Sequence, residues 1–218
     1  MKIDSERLFG IPFSICNIDP ESYNKEEIIS DITYNYSKSP IRNKGPIAGK
    51  DDNVHHAYSD WENPQYIKSN YNELSGIYTK LIPECLKKFD LNNFNFSFDI
   101  VNYSCMSEGS YMTMHDHCKV DFVSLHYIQF DPTTHIQTEY VNEQPFSLYQ
   151  KVFTRPNKIG EIIDKNVSTS MYSESWRLPV EEDSFHIVPG FLSHRVPVQP
   201  KCDKLRIVVI ANINVEGQ

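Results

Sequence analysis

At Phe94 the hydrophobic period of this chain changes, and that change restricts the folds open to it more than any other feature. Before it, apolar residues recur at helical spacing. Ile28, Ile29, Ile32 and Tyr36 form one stripe; Tyr66, Tyr71, Leu74, Ile77, Tyr78, Leu81, Ile82, Cys85 and Leu86 form another. After it, NFNFSFDIVNYSC puts Phe94, Phe96, Phe98 and Ile100 on one parity, the pattern of a strand with one buried face. VDFVSLHYIQFD follows, apolar on both parities in places, which suits a central strand. HIQTEYVN, SFHIVPG, SHRVPVQ and KLRIVVIANINV are further short runs split by turns. Helices first, then about seven or eight short strands, indicate an α+β chain with a β-sandwich or jelly-roll barrel.

The remaining boundaries follow from punctuation. LFGIPFSICNID predicts a strand over 8–18, and Pro20 with the acids Glu21, Glu26 and Glu27 predicts a helix running to about Tyr36. Residues 39–60 read as loop with a short strand at HHAYSDW. A second helical stretch covers 63–90, where Pro83 is expected to kink or interrupt it. Residues 143–182 are polar and irregular, with Pro145, Pro156 and Pro179, and an excursion of that length reads as a lid, a binding loop or a disordered segment. The expected organisation is one domain over 1–218, with an N-terminal strand and helical layer to 92 and the barrel over 93–218.

Composition excludes several function classes. A net charge of −8 argues against a broad nucleic-acid footprint but leaves room for a local basic cleft. No run is long and apolar enough to span a membrane, and MKIDSERLFG lacks the apolar core of a secretory signal. The five cysteines are odd in number, widely spaced and without a CxxC pair. They predict neither a disulfide framework nor a thiolate zinc site, and point to a reducing, cytoplasmic setting.

Chemistry concentrates in YMTMHDHCKVDFVSLHY, residues 111–127. If this segment is extended, His115 and His117 share one face and Asp116 points the other way. Two same-face imidazoles are half of a metal site, although such pairs also occur as half-exposed histidines without a ligand. His194, in FHIVPGFLSHRVPV, is the best candidate for the third ligand. His55 and His56 are adjacent, would face opposite ways in a strand, and make a poor joint site.

His115-Asp116-His117, Tyr127, His194 and Arg206 stand in order on consecutive predicted strands. In that order they resemble the Fe(II)- and 2-oxoglutarate-dependent oxygenases, especially those common in phages and marine bacteria, with a general similarity to prolyl hydroxylases. The likeness runs over most of the chain, through LFGIPFSICNIDPE, HDHCKVDFVSLHYIQF and EEDSFHIVPGFLSHRVPVQPKCDKLRIVVIANI. It implies a double-stranded β-helix, a jelly-roll or cupin-like barrel, with N-terminal helices packed on it. It implies Fe(II) on His115, His117 and His194, and 2-oxoglutarate and O2 as cosubstrates, with ascorbate as an activator. It makes Arg206 the bidentate partner of the far 2-oxoglutarate carboxylate and Tyr127 a hydrogen-bonding neighbour of it. Tyr103 and Tyr111 resemble nearby pocket tyrosines. The substrate would be a protein or a small molecule; the oligomeric state stays open, a homodimer included.

One departure stands out. Where the family carries a carboxylate, this chain has His117. Asp116 could replace it only if the strand bulges, and Asp121 only if the chain loops between His117 and Phe122. Cys118 reads as a small packed residue rather than a ligand. Two other functions therefore remain: a cupin-like three-histidine metalloenzyme that uses no 2-oxoglutarate, and a non-catalytic jelly-roll binding module.

Overall fold

The computed structural model describes residues 4–8, 11–38, 53–56, 65–141 and 175–217. Among the described residues the helical period before Phe94 produces two helices, α1 (Lys25–Lys38) and α2 (Asn72–Lys87). A short 3-10 turn at Pro20–Ser22 leads into α1, and the Asp19 side chain accepts from the Glu21 N–H at 3.0 Å. Ile28, Ile32 and Asn35 form the buried stripe of α1; Leu74, Tyr78, Leu81, Ile82, Cys85 and Leu86 form that of α2.

The described strands are β1 (Asp4–Leu8), β2 (Ile11–Asn17), β3 (His55–His56), β4 (Phe94–Met106), β5 (Met112–His115), β6 (Phe122–Gln129), β7 (Glu139–Val141), β8 (Ser175–Arg177), β9 (Ser184–Pro189), β10 (His194–Val196) and β11 (Arg206–Gly217). They form a seven-stranded sheet, β1-β2-β9-β6-β11-β4-β3, and a four-stranded sheet, β5-β10-β7-β8. Every described pairing is antiparallel. The architecture is an antiparallel β-sandwich of jelly-roll type, with the two described helices on one face.

Parity decides which core each residue joins. In β6 every residue from Val123 to Ile128 is buried, because both faces are covered. Ile128, with Phe185, Ile187, Ile207, Val209 and Ile213, packs under the helices. Val123, Leu125 and Tyr127, with Val188, Val208 and Ile210, meet Tyr140 and Leu178 between the sheets. Burying one such aliphatic side chain contributes on the order of 1.5–3 kcal/mol.

Three expectations need correction. The first strand is two: β1 folds back on β2, pairing Asp4 with Ile15 and Leu8 with Ile11. The second helix starts at Asn72, not 63. The Asn35 side chain takes both backbone groups of Ile67, each at 2.8 Å, and so ties residues around 67 to α1 instead of to a helix of their own. α2 runs through Pro83 without interruption, with Leu81, Ile82, Cys85 and Leu86 buried on both sides of it. Of the expected lid, residues 143–174 lie outside the described residues, and 175–182 begin with β8. All five cysteines are free, and among the described residues no helix is long and apolar enough to cross a membrane.

Candidate metal centre and anion pocket

His115 ends β5 and His194 begins β10, and the two residues are direct cross-strand partners. His117 is not on the strand as expected. β5 stops at His115, and the following loop brings His117 back toward the same point. Its N–H donates to the Gly190 carbonyl at 2.7 Å, its carbonyl accepts from Val120 at 3.0 Å, and the Gly190 N–H donates to Asp121 at 2.9 Å. Gly190 is required there, since a Cβ would stand 2.2 Å from the Val120 carbonyl oxygen and 2.7 Å from that of His117.

The three histidines offer ligand nitrogens that all lie within 4.8 Å of one another. Ring centroids are 4.4 Å apart for His115 and His194, 5.3 Å for His117 and His194, and 5.6 Å for His115 and His117. Nδ1 of His115 lies 2.8 Å from the Thr113 carbonyl, and Nδ1 of His194 lies 2.8 Å from the Leu192 carbonyl. A carbonyl only accepts, so each Nδ1 carries a proton, and Nε2 is the nitrogen each ring can turn to a metal. Burial, reinforced by His115 and His117, holds the His194 pKa well below the usual value. Burial, with His115 beside it, lowers that of His117 to about 4, against an opposing pull from Asn212. Both rings are therefore neutral at pH 7, the state a metal requires. Neutral rings with backbone-oriented tautomers fit a divalent metal.

Neither aspartate joins the cluster. Asp116 is exposed, with Oδ1 accepting from the Cys118 N–H at 3.0 Å. Oδ2 of Asp121 accepts from the Val215 N–H at 2.8 Å, outside the cavity. Cys118 is exposed rather than packed, at the rim of the cavity.

The triad lines a cavity of about 230 Å³ that is also lined by Thr138 and Arg206. Arg206 is 0% exposed. Its Nε donates to the Ile136 carbonyl at 3.1 Å, Nη2 donates to Thr138 Oγ1 at 3.2 Å, and Nη1 lies 3.9 Å from Met106 Sδ. The guanidinium also sits 5.2 Å from the Tyr127 ring centroid and 6.0 Å from that of Phe130. Every one of these partners is neutral. Among the described residues no carboxylate pairs with Arg206, and burial lowers its pKa. A buried cation without an anion is costly, and a carboxylate on the guanidinium would offset that cost. That orphaned charge fits the distal carboxylate of a dicarboxylic acid.

No protein-family model matches the sequence, and no curated protein matches it. Among solved structures, the chain is similar to a prolyl-4-hydroxylase from Pseudomonas putida, with a TM-score of 0.52 and 7% identity over 99% of this chain and 93% of that one. The chain has a 2OG-Fe(II) oxygenase-like fold. Lower TM-scores relate it to the non-heme alpha-ketoglutarate-dependent epimerase SnoN from nogalamycin biosynthesis (0.49; 7% identity; 94% of this chain, 77% of that one). The same is true of the viral collagen prolyl hydroxylase of Paramecium bursaria Chlorella virus-1 (0.47; 11% identity; 91% and 94%).

Within this oxygenase-like fold the expected tyrosines are not where the sequence put them. Tyr103 faces the helices: its parity on β4 is opposite to that of Asn102 and Ser104, which line the cavity, and its hydroxyl meets His55 Nε2 at 2.9 Å. Tyr111 forms an isolated bridge with Asn53 and does not line the cavity. Tyr127 lies behind Arg206, and its hydroxyl donates to Thr138 Oγ1 at 2.9 Å. Thr138 thus takes both the Tyr127 and the Arg206 donor, a role that sequence reasoning missed. The alternation in HIQTEYVN was the available signal, since Thr138 and Tyr140 share the face that points between the sheets. Tyr140 pairs across with His194, and its buried hydroxyl has no partner among the described residues.

Proposed function

We propose that this chain is an Fe(II)- and 2-oxoglutarate-dependent dioxygenase on a single-domain double-stranded β-helix, hydroxylating a protein or small-molecule substrate. One observation carries the reading: a single cavity presents a three-histidine cluster and a fully buried guanidinium without an anion. Bound iron and 2-oxoglutarate would together supply oxidation by dioxygen, the cosubstrate leaving as succinate and CO2. The chain's own residues do the rest. His115, His117 and His194 would hold the ion through neutral nitrogens. Arg206 would take the distal carboxylate in a bidentate fork, its guanidinium plane set by the Ile136 carbonyl, Thr138 Oγ1 and the Tyr127 ring. Leu125, Val196, Val208 and Ile210 wall the cavity with apolar surface and exclude water.

The test is anaerobic titration of Fe(II) and 2-oxoglutarate, watched for the metal-to-ligand charge-transfer absorption. The band should form with the parent and fail with Arg206→Met. In air, with ascorbate present, the parent should release succinate. The neutral ligand set favours a second reading, a three-histidine metalloenzyme without 2-oxoglutarate. Metal binding with no response to 2-oxoglutarate would select it.

A further inference from the structure

Among the described residues the cavity has one anion of its own, and it lies at the exposed edge. Its charged lining residues are Arg206, Lys119 and Asp116, and the aspartate is exposed with one carboxylate oxygen engaged by the Cys118 N–H. A divalent ion on three imidazoles would keep its full double charge. It would share a largely apolar cavity with a buried guanidinium that no described carboxylate offsets. Like charges in a low-dielectric site repel strongly, so the ion and Arg206 oppose each other until an anion lies between them. A carboxylate at position 117 would supply part of that charge from the protein. His117 supplies none.

We propose that His117 makes metal occupancy conditional on the anion: the divalent metal and a dianionic 2-oxo acid enter this cavity as a coupled pair, each weakly alone. The inference rests on the oxygenase reading and adds regulation to it. Coupling is reciprocal, so the metal tightens the anion by the factor that the anion tightens the metal. Occupancy of the centre then follows the concentration of the oxo acid as well as that of the metal.

Calorimetry with Mn(II), a redox-stable stand-in for Fe(II), tests this on the full chain. Mn(II) is titrated alone, with saturating 2-oxoglutarate, and with saturating glutarate, which carries both carboxylates but lacks the chelating oxo group. Mn(II) should tighten on the order of 10- to 100-fold with 2-oxoglutarate, and measurably with glutarate, because charge contributes apart from chelation. His117→Asp should tighten Mn(II) alone and shrink the 2-oxoglutarate effect several-fold. The position lies in a loop outside the strand ladders, and a melting curve checks that the variant is folded. Arg206→Met is the second variant. It should bind Mn(II) alone at least as tightly as the parent, whereas a merely structural role for Arg206 would weaken it. Tight Mn(II) binding by the parent that is indifferent to either acid, or a His117→Asp variant with unchanged coupling, overturns the proposal. The two readings fail differently. Independent binding of Mn(II) and 2-oxoglutarate leaves the oxygenase reading standing and sinks only the coupling. Absence of 2-oxoglutarate binding, with or without metal, sinks the oxygenase reading and the coupling with it.

Discussion

Among the described residues two cations, Lys25 and Arg206, are buried on opposite faces of the seven-stranded sheet, and their surroundings differ in kind. Under the helices, Lys25 Nζ donates to Asp183 Oδ2 and to Glu182 Oε1, each at 2.7 Å, and the Tyr23 hydroxyl donates to Asp183 Oδ1 at 2.7 Å. Between the sheets, Arg206 has a carbonyl, a hydroxyl, a thioether and two rings, and no described carboxylate. The first cation is neutralised by its anions, a buried Asp183 and an exposed Glu182, as a structural tie between α1 and the turn before β9. The second was buried with neutral partners that orient it and leave its charge unspent. A buried charge that the chain itself neutralises belongs to the fold; one held in place but not neutralised marks where a ligand goes.

The sharpest way to break that contrast is to remove each cation. Arg206→Met should weaken 2-oxoglutarate binding by about 2–5 kcal/mol, read by calorimetry, because the acid loses a buried counter-charge. The same change should leave the melting temperature equal or higher, since it removes an uncompensated buried charge. Lys25→Met should do the reverse. It strands Asp183 and should cost roughly 3 kcal/mol in urea unfolding, while sparing metal and cosubstrate affinity. If Arg206→Met destabilises as much as Lys25→Met, the distinction between the two sites fails.

Gly190→Ala perturbs the loop that sets His117. The added methyl must push away the Val120 and His117 carbonyls, at a cost of about 1–3 kcal/mol. Metal affinity should fall with it, and unaltered Mn(II) binding would mean that the loop does not position the ligand.

The smallest expected effect is on acid stability. His126 lies on the helix side, hydrogen-bonded to Tyr78 at 3.0 Å, and His186 lies between the sheets beside Tyr127. Burial lowers each pKa to about 3. In the unfolded chain both titrate near 6.5. Their contribution to stability is therefore intact above pH 6.5 and declines as pH falls toward 3, because the unfolded chain then binds the protons. Each histidine should add up to about 1.4 kcal/mol per pH unit to that slope. His186→Phe should flatten the urea midpoint between pH 6.5 and 5 by one proton's share, and an unchanged slope would show that His186 is not buried neutral.

Much of the frame was legible before any coordinates. The change of period at Phe94 marks where α2 gives way to β4, and the double-sided apolar run of β6 marks the centre of the large sheet. His115 and His194 pair across β5 and β10, and both line the cavity with Arg206, the first residue of β11. The tyrosines were less readable. Tyr103 was placed by resemblance against its own parity, and Tyr127 ended one layer behind the cavity because Thr138 engages its hydroxyl. The start of α2 was missed because Asn35, far away in sequence, captures the backbone of Ile67.

By itself, then, the sequence determined which residues share a face, since the periods of strand and helix are local properties of the backbone. It also determined that imidazoles and a guanidinium would be available on the strands that close the chain. Only the tertiary structure decided that His117 reaches the cluster from a loop braced on Gly190, that neither Asp116 nor Asp121 joins it, and that Arg206 is buried without an anion while Lys25 is paired with two. Those outcomes depend on which distant segments meet, and no local period records how far one carboxylate or carbonyl lies from a residue on another strand.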